Sequence, residues 1–254
     1  MTSLQFGDGV YFFPVTPFRP DGTVDTELAA TLIDEGVSAG AGSVFVACGT
    51  GEFHALSLAE HELMVRTAVT AVAGRVPVLA GAGGPLGHAV ATARAAEAAG
   101  ADGLLVMPPY LVSGPQAGLV AYVEAITAAT ELPLVIYHRG TAQFTAASVG
   151  KLLQVPSVIG IKDGVGDIAL AQSFVLEAER SGRDVLFFNG LLTAEMSQAA
   201  YQAIGIPLYS SAAFAMAPDI ATAYYRAYRS GDVAAQRRLL DGFYRPLVAL
   251  RDET

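Results

Sequence analysis

The sequence has one cysteine, few charged residues and fewer cations than anions, and each shortage excludes a class of protein. Cys48 has no second cysteine for an intramolecular disulfide, which is typical of a reducing compartment. Charged residues make up 15% of the chain against 52% hydrophobic residues, which excludes a disordered chain. The net charge of −9 and the lack of a basic cluster argue against a nucleic-acid partner.

Long hydrophobic runs are also missing. No apolar run reaches the roughly 18 residues that a membrane span needs, and the first residues lack the charged and apolar regions of a signal peptide. We therefore expect a compact cytoplasmic protein with no membrane partner. A small anionic substrate is compatible with the negative net charge if local cations attract it.

Short apolar runs alternate along the chain with Ala-rich stretches of helical period, and this alternation indicates βα units around a parallel sheet. Eight such units without a linker favour a closed (β/α)₈ barrel, a TIM barrel, over a doubly wound sheet. The predicted strands are Gly9 to Thr16, Ser43 to Ala47, Val76 to Ala80, Gly103 to Met107, Leu134 to Tyr137, Val158 to Lys162, Val185 to Asn189 and Ile206 to Tyr209.

Caps and turn residues mark where the helices begin. Several predicted starts carry Ser, Thr or Asp as a cap, or Pro in the first turn, and Ser57 with Glu60 forms a capping box. The predicted starts lie near Asp25, Ser57, Pro85, Pro115, Thr145, Asp167, Thr193 and Pro218. We expect one barrel domain over residues 1–220 and a helical extension over 221–254, broken near Gly231.

Function in such barrels lies at the C-terminal ends of the strands, so a charged residue there is informative. Lys162 ends the sixth predicted strand, on an alternation that points it inward. Burying a lysine costs several kcal/mol unless it is paired or neutral. A neutral amine is a nucleophile; the alternative is a salt bridge to a neighbouring carboxylate.

Three further features lie at strand ends. Tyr137 could exchange a proton with an imine-bound substrate, or be a core tyrosine whose hydroxyl is satisfied. Arg139 could hold a carboxylate through its planar fork, or be a solvated surface residue. The turn Gly49-Thr50-Gly51 could offer backbone N–H groups to an anion, although Gly-rich turns are common.

Other constellations are excluded. The histidines have no metal-ligand spacing with a carboxylate, and no P-loop or dinucleotide-binding motif occurs. Cys48 has no base partner and is predicted to be a small buried residue. Gly190 stands alone after strand 7, and Ser210-Ser211 follow strand 8, so a carboxylate or hydroxyl ligand fits better than phosphate. We expect no metal and no cofactor.

Together these segments resemble the dihydrodipicolinate synthase and N-acetylneuraminate lyase superfamily over nearly the whole chain. Within it, the resemblance is strongest to the decarboxylating dehydratases of sugar acids. The matching segments are Pro14-Val15-Thr16-Pro17-Phe18, Gly49-Thr50-Gly51-Glu52, Pro108-Pro109-Tyr110-Leu111, Tyr137, Gly160-Ile161-Lys162-Asp163 and Tyr209-Ser210-Ser211-Ala212.

The resemblance implies a lyase that dehydrates and decarboxylates a 2-oxo sugar acid without a cofactor. Lys162 would form the imine and Tyr137 would carry protons. The substrate would be bound by the turn and the other strand-end residues, namely Gly49, Thr50, Gly51, Arg139, Gly190, Ser210 and Ser211. In the synthases a threonine and a tyrosine lent by a partner subunit complete a proton relay, and here Gly49 and Leu111 replace them.

Two features depart from the superfamily pattern. His138 stands where a strand 5 asparagine is usual, so it either alters substrate fit or faces the outer layer. The C-terminal extension is shorter than in the family, whose further helices help to form oligomers; we still expect a homo-oligomer, a dimer or a tetramer. The alternative functions are an aldolase or lyase acting on another 2-oxo acid, and a degenerate barrel that has lost turnover.

Overall fold

The computed structural model describes residues 4–109 and 113–253 and shows a closed barrel of eight parallel strands arranged in chain order. Each strand pairs with the next, and the first also pairs with the last. The predicted TIM barrel is therefore confirmed. The strands are β1 Val10–Phe12, β2 Ala41–Val46, β3 Val78–Ala82, β4 Gly103–Val106, β5 Leu134–His138, β6 Val158–Asp163, β7 Leu186–Asn189 and β8 Leu208–Ser211.

Helices cover the outside of this barrel, and seven of the eight predicted starts agree with the structure. The exception is Thr193, which precedes a 3₁₀ turn, Ala194–Met196, without capping it, so that the next α-helix begins only at Gln198. The side chains of Asp25, Thr145 and Asp167 each accept a hydrogen bond from the first helical turn. The capping box of Ser57 and Glu60 forms in both directions. The helices are α1 Thr26–Ser38, α2 Leu58–Val72, α3 Leu86–Ala98, α4 Gln116–Thr127, α5 Ala146–Leu152, α6 Ile168–Ser181, α7 Gln198–Ala203, α8 Pro218–Arg229, α9 Val233–Leu239 and α10 Arg245–Asp252.

All eight strands differ from their predicted bounds by at least one residue, and at three of them a proline lies near the difference. The first predicted strand covers Gly9 to Thr16, but β1 ends at Phe12, two residues before Pro14. β3 and β8 each begin one residue after a proline, at Pro77 and Pro207. Proline has no N–H to donate to the sheet ladder, so the paired segments start or stop around it.

The core has two layers. Between the sheet and the helices, the buried side chains are mostly small and aliphatic. Inside the barrel the filling is largely aromatic: Phe13 stacks on Phe45 at a centroid distance of 4.6 Å, and Tyr11 meets the edge of Phe188 at 5.2 Å. Offset and edge contacts of this kind stabilise ring pairs beyond their buried area. The rings form an apolar base for the C-terminal strand ends.

The C-terminal part of the chain is helical, with a break at Gly231. After α8 the chain turns at Gly231, and the side chain of Asp232 caps α9. A π-helical segment, Leu240–Tyr244, joins α9 to α10. The predicted domain boundary at residue 220 falls within α8 and stays a prediction. In the described part of the chain, no helix is long and apolar enough to cross a membrane.

Candidate active site

A cavity of about 630 Å³ opens at the C-terminal end of the barrel, where parallel barrels place their chemistry. It brings together most of the residues that the sequence predicts for a site. Those that line it are Lys162, Tyr137, Arg139, Gly49, Thr50, Gly190 and Ser210. Gly51 and Ser211 are outside this lining. Leu111 and Tyr110, which the resemblance also used, lie outside the described residues.

Lys162 lies at the inner face of β6, surrounded by aromatic rings. Its Nζ is 3.7 Å from the ring centroid of Phe13 and 4.4 Å from that of Tyr137. The ring of Phe188 lies at 5.8 Å. Only 5% of the Lys162 surface is exposed. The amine is therefore held in an apolar, aromatic surrounding that still opens to the cavity.

No carboxylate of the described residues forms an ion pair with this amine. The salt-bridge alternative for Lys162 is therefore excluded within the part of the chain described. Burial, together with the positive charge of Arg139, lowers the pKa of the Lys162 ammonium from 10.5 to about 7. A substantial share of the amine is then neutral at physiological pH, as a nucleophile requires.

Tyr137 is the register partner of Lys162 on the adjacent strand β5. Its hydroxyl donates to the carbonyl oxygen of Gly190 at 3.2 Å and accepts from Nη1 of Arg139 at 2.7 Å. Burial raises the pKa of the Tyr137 phenol, and the guanidinium of Arg139 opposes that rise. The hydroxyl thus stays protonated at neutral pH and is oriented by two partners next to the amine.

The turn after β2 forms the opposite wall. Hydrogen bonds from the N–H groups of Glu52 and Phe53 close it, and these leave the N–H groups of Gly49 and Thr50 without a partner in the described residues. Glu52 has a left-handed backbone, with φ of 57°, next to Gly51. A left-handed backbone is unfavourable for a residue with a side chain and persists only where the surrounding structure enforces it, which is frequent at binding sites.

Gly51 has a structural reason to be glycine. A Cβ atom built there would lie 3.1 Å from the carbonyl oxygen of Pro14, and the Gly51 carbonyl accepts from the Thr16 hydroxyl at 2.7 Å. The close approach to Pro14 and the hydrogen bond from Thr16 hold the turn against the segment that follows β1. Gly51 therefore positions Gly49 and Thr50 rather than lining the cavity itself.

The ends of β7 and β8 contribute unequally. Gly190 lies against the stem of Lys162, because a Cβ atom there would come within 2.3 Å of the lysine Cε. Ser210 lines the cavity, and its hydroxyl donates to the carbonyl oxygen of Asn189 at 3.4 Å. The structure places Ser211 on the outer face of β8, where its hydroxyl donates to Glu195. Ser211, which was predicted to bind the substrate, therefore does not face the cavity.

His138 faces the outer layer and not the cavity, so of the two alternatives for this residue, a change in substrate fit or a place in the outer layer, the structure favours the second. Its ring meets Phe174 edge-on at 5.0 Å, and its Nδ1 accepts from the backbone N–H of Phe144 at 2.9 Å. Asp163, the residue after Lys162, also faces outward: it accepts from the Tyr201 hydroxyl and from the N–H of Val165 at 3.0 Å. Both side chains shape loops behind the site and stay out of the cavity.

Cys48 is buried, as expected, and its thiol donates to the carbonyl oxygen of Val46 at 3.4 Å. Burial raises the pKa of the Cys48 thiol to about 12. The thiol therefore remains protonated at neutral pH, and it is a packing residue close to the amine rather than a nucleophile.

The charged groups of the cavity all have the same sign. Lys162, Arg139 and Arg251 line it, with His54 nearby, and no Asp or Glu of the described residues does so. Sequence reasoning missed Phe13, which strand alternation from the inward Tyr11 could have indicated. Arg251 had no such signal, because it comes from α10, far along the chain. A cavity of this charge favours anionic ligands.

Comparison with known proteins agrees with this geometry. A model of the dihydrodipicolinate synthetase family matches residues 7–248. The chain belongs to this family. A "Probable 5-dehydro-4-deoxyglucarate dehydratase 1" of Streptomyces coelicolor is 54% identical over 250 residues, which cover 98% of this chain and 79% of that protein. A protein of the same name, without the final number, from Streptomyces griseus is 55% identical over 245 residues, covering 96% and 77%.

Solved structures of the family share the fold. The 4-hydroxy-tetrahydrodipicolinate synthase from Methylacidiphilum fumariolicum superimposes with a TM-score of 0.86 at 25% identity, covering 97% of this chain and 81% of that one. An E. coli prophage protein of the dihydrodipicolinic acid synthase family, in complex with pyruvate, superimposes with a TM-score of 0.82 at 30% identity, covering 91% and 80%.

Substitution of Gly190 tests the packing of the lysine stem. We expect Gly190→Ala to push the Lys162 side chain out of its position, since the new methyl group overlaps Cε. The amount of imine trapped by borohydride with a 2-oxo acid should fall about tenfold or more. Gly87→Ala is the matched control, because a Cβ atom there meets nothing within 4 Å and trapping should be unchanged. Equal trapping in both variants would contradict the packing role.

Substitution of the lysine itself tests the cost of burying it. Between pH 7 and pH 10.5 the unfolded chain holds a proton on Lys162 that the native state releases, so wild-type stability rises with pH in this window. Lys162→Met removes the titration. The variant should be more stable than wild type at pH 7, and its advantage in free energy of unfolding should shrink by about 2 kcal/mol at pH 9. Urea unfolding at both pH values measures this; an advantage independent of pH would refute it.

Proposed function

We propose that this chain is a Schiff-base lyase that converts 5-dehydro-4-deoxy-D-glucarate to 2,5-dioxopentanoate, CO₂ and water. The single observation that carries the proposal is the Lys162 amine, buried among aromatic rings with a pKa near 7 and paired in register with Tyr137. The names of the Streptomyces relatives support the substrate. A homo-oligomer and a cytoplasmic location stay predictions from the sequence.

The first step uses the amine. Neutral Lys162 adds to the ketone carbon of the 2-oxo acid, and water leaves as the imine forms. Tyr137 supplies and removes protons at the substrate, because its hydroxyl lies beside the amine and Arg139 and the Gly190 carbonyl orient it. The N–H groups of Gly49 and Thr50 hold the carboxylate next to the ketone, on the wall facing Lys162.

The following steps use the imine as an electron acceptor. The protonated imine acidifies the neighbouring CH₂; loss of a proton there expels the β-hydroxyl as water. The conjugated imine then accepts the electron pair of the distal carbon–carbon bond as CO₂ departs. Protonation and hydrolysis release 2,5-dioxopentanoate and restore the lysine.

Trapping tests the function. The protein is incubated with 5-dehydro-4-deoxyglucarate and borohydride, and intact mass, CO₂ and 2,5-dioxopentanoate are measured. We expect a reduced adduct in the wild type, product and CO₂ without borohydride, and neither in Lys162→Ala. An adduct with pyruvate and no CO₂ from the sugar acid would instead indicate an aldolase. No adduct with any 2-oxo acid would remove the enzymatic interpretation.

Removal of the phenol separates imine formation from proton transfer. Tyr137→Phe should lower kcat by about 10² to 10⁴ while borohydride still traps the Lys162 adduct, since positioned acid–base groups contribute about that much. Tyr122→Phe is the matched control: its hydroxyl donates to the Gly84 carbonyl at 2.9 Å, outside the cavity, so kcat should stay close to wild type. A fully active Tyr137→Phe variant would show that another group carries the proton.

A further inference from the structure

The side chain of His138 closes the loop that follows β5. Its Nδ1 accepts a hydrogen bond from the backbone N–H of Phe144, six residues further along the chain, at 2.9 Å. Both residues are buried, with 1% of His138 and 3% of Phe144 exposed. An N–H group buried in this way needs an acceptor. The imidazole therefore fixes the end of the loop from the outer side of the barrel.

The loop that is closed in this way carries groups that line the cavity. A tight turn joins Arg139 and Ala142 through backbone hydrogen bonds in both directions. Arg139 and Thr141, on this turn, line the cavity. Nη1 of Arg139 donates to the Tyr137 hydroxyl at 2.7 Å. The position of this donor thus depends on a loop that His138 closes.

Only one form of the imidazole can make this bond. A backbone N–H is always the donor, so Nδ1 of His138 has no proton and the neutral ring carries its proton on Nε2. Nε2 has no hydrogen-bond partner among the described residues, and Oδ1 of Asp163 lies 4.0 Å from it. The negative charge of this carboxylate favours a proton on the nearer nitrogen. A proton on Nδ1 would set two N–H groups against each other and open the loop.

The surroundings of His138 keep its ring neutral near pH 7. Phe174 of α6 meets the ring edge-on at 5.0 Å, and burial lowers the pKa of the imidazolium below its ordinary value of 6.5. The charges of Asp163, on β6, and Asp167, at the start of α6, oppose this shift. Tyr201 of α7 donates its hydroxyl to the Asp163 carboxylate. The neutral ring is the form that accepts from the loop.

We propose that His138 is a positioning residue for the reaction, because it closes the loop after β5 and so holds Arg139 against the Tyr137 hydroxyl. The inference rests on the proposed function, since it takes Tyr137 as the group that carries protons. It assigns a role in turnover to a side chain that does not touch the cavity.

A matched pair of substitutions tests the role of the acceptor. Asparagine has an acceptor oxygen bonded to Cγ, as histidine has Nδ1, and leucine has the same branching without an acceptor. At pH 7, His138→Leu should lower kcat with 5-dehydro-4-deoxyglucarate about 10- to 100-fold, because small misplacements of reacting groups cost about that much. Borohydride should still trap as much Lys162 adduct as in wild type. His138→Asn should keep kcat within about threefold of wild type, since the acceptor remains.

Wild-type kcat in His138→Leu, or an equal loss of kcat in both variants, would overturn the proposal. A second background separates positioning from a general disturbance of the fold. If His138 acts on the phenol through Arg139, its effect disappears once the phenol is removed. In Tyr137→Phe, the added His138→Leu should lower kcat less than about twofold. A loss as large as in the presence of Tyr137 would contradict the positioning role.

NMR tests the closed loop without turnover. At pH 7 the His138 ring should carry its proton on Nε2 and none on Nδ1. The Phe144 N–H should exchange slowly in wild type and in His138→Asn, and about tenfold or more faster in His138→Leu. A proton on Nδ1, or an unprotected Phe144 N–H in wild type, would overturn the proposal even if His138→Leu does not fold. A wild type without turnover would overturn the proposed function and the positioning role with it, whereas failure at His138 alone leaves that function standing.

Discussion

Every part of the site depends on one lysine amine that is buried among aromatic rings, with no carboxylate from residues 4–109 or 113–253 paired to it. Removing an ammonium group from water costs several kcal/mol, and Lys162 meets that cost by giving up its proton near pH 7. The barrel provides the surroundings for this. Phe13 and Phe188 face the amine, and the missing side chain of Gly190 leaves room for the lysine stem. A side chain at position 190 would displace the lysine stem, and a carboxylate beside the amine would raise its pKa.

Strand alternation keeps the acids away. Successive residues of a strand point to opposite faces, so Lys162 faces the cavity while Asp163 faces the outer layer and binds Tyr201 and the loop that follows. Glu195 is likewise held behind β8 by the Ser211 hydroxyl. Although the net charge is −9, the described residues that line the cavity are all cationic or neutral, and the same geometry that lowers the lysine pKa also favours an anionic ligand.

Sequence patterns predicted local structure well and distant contacts poorly. The barrel, the capping box at Ser57 and the inward Lys162 follow from periodicity and capping chemistry, which act over a few residues. Ser210 and Ser211 were predicted together because both follow the predicted strand 8, but β8 continues to Ser211 and strand alternation turns that side chain outward. Arg251 was missed altogether, since its position depends on how α10 packs on the loops after β7 and β8.

The direct measurement of the central claim is a titration of Lys162 by NMR. The sequence has two lysines, Lys151 and Lys162, so protein labelled with ¹³C at the lysine Cε gives two side-chain signals. Lys151 is exposed, and its signal is identified as the one that remains in Lys162→Ala. The second signal should titrate near pH 7 and be absent from Lys162→Ala. Titration of the Lys162 signal near its ordinary pKa of 10.5 would contradict a buried amine that is neutral near pH 7.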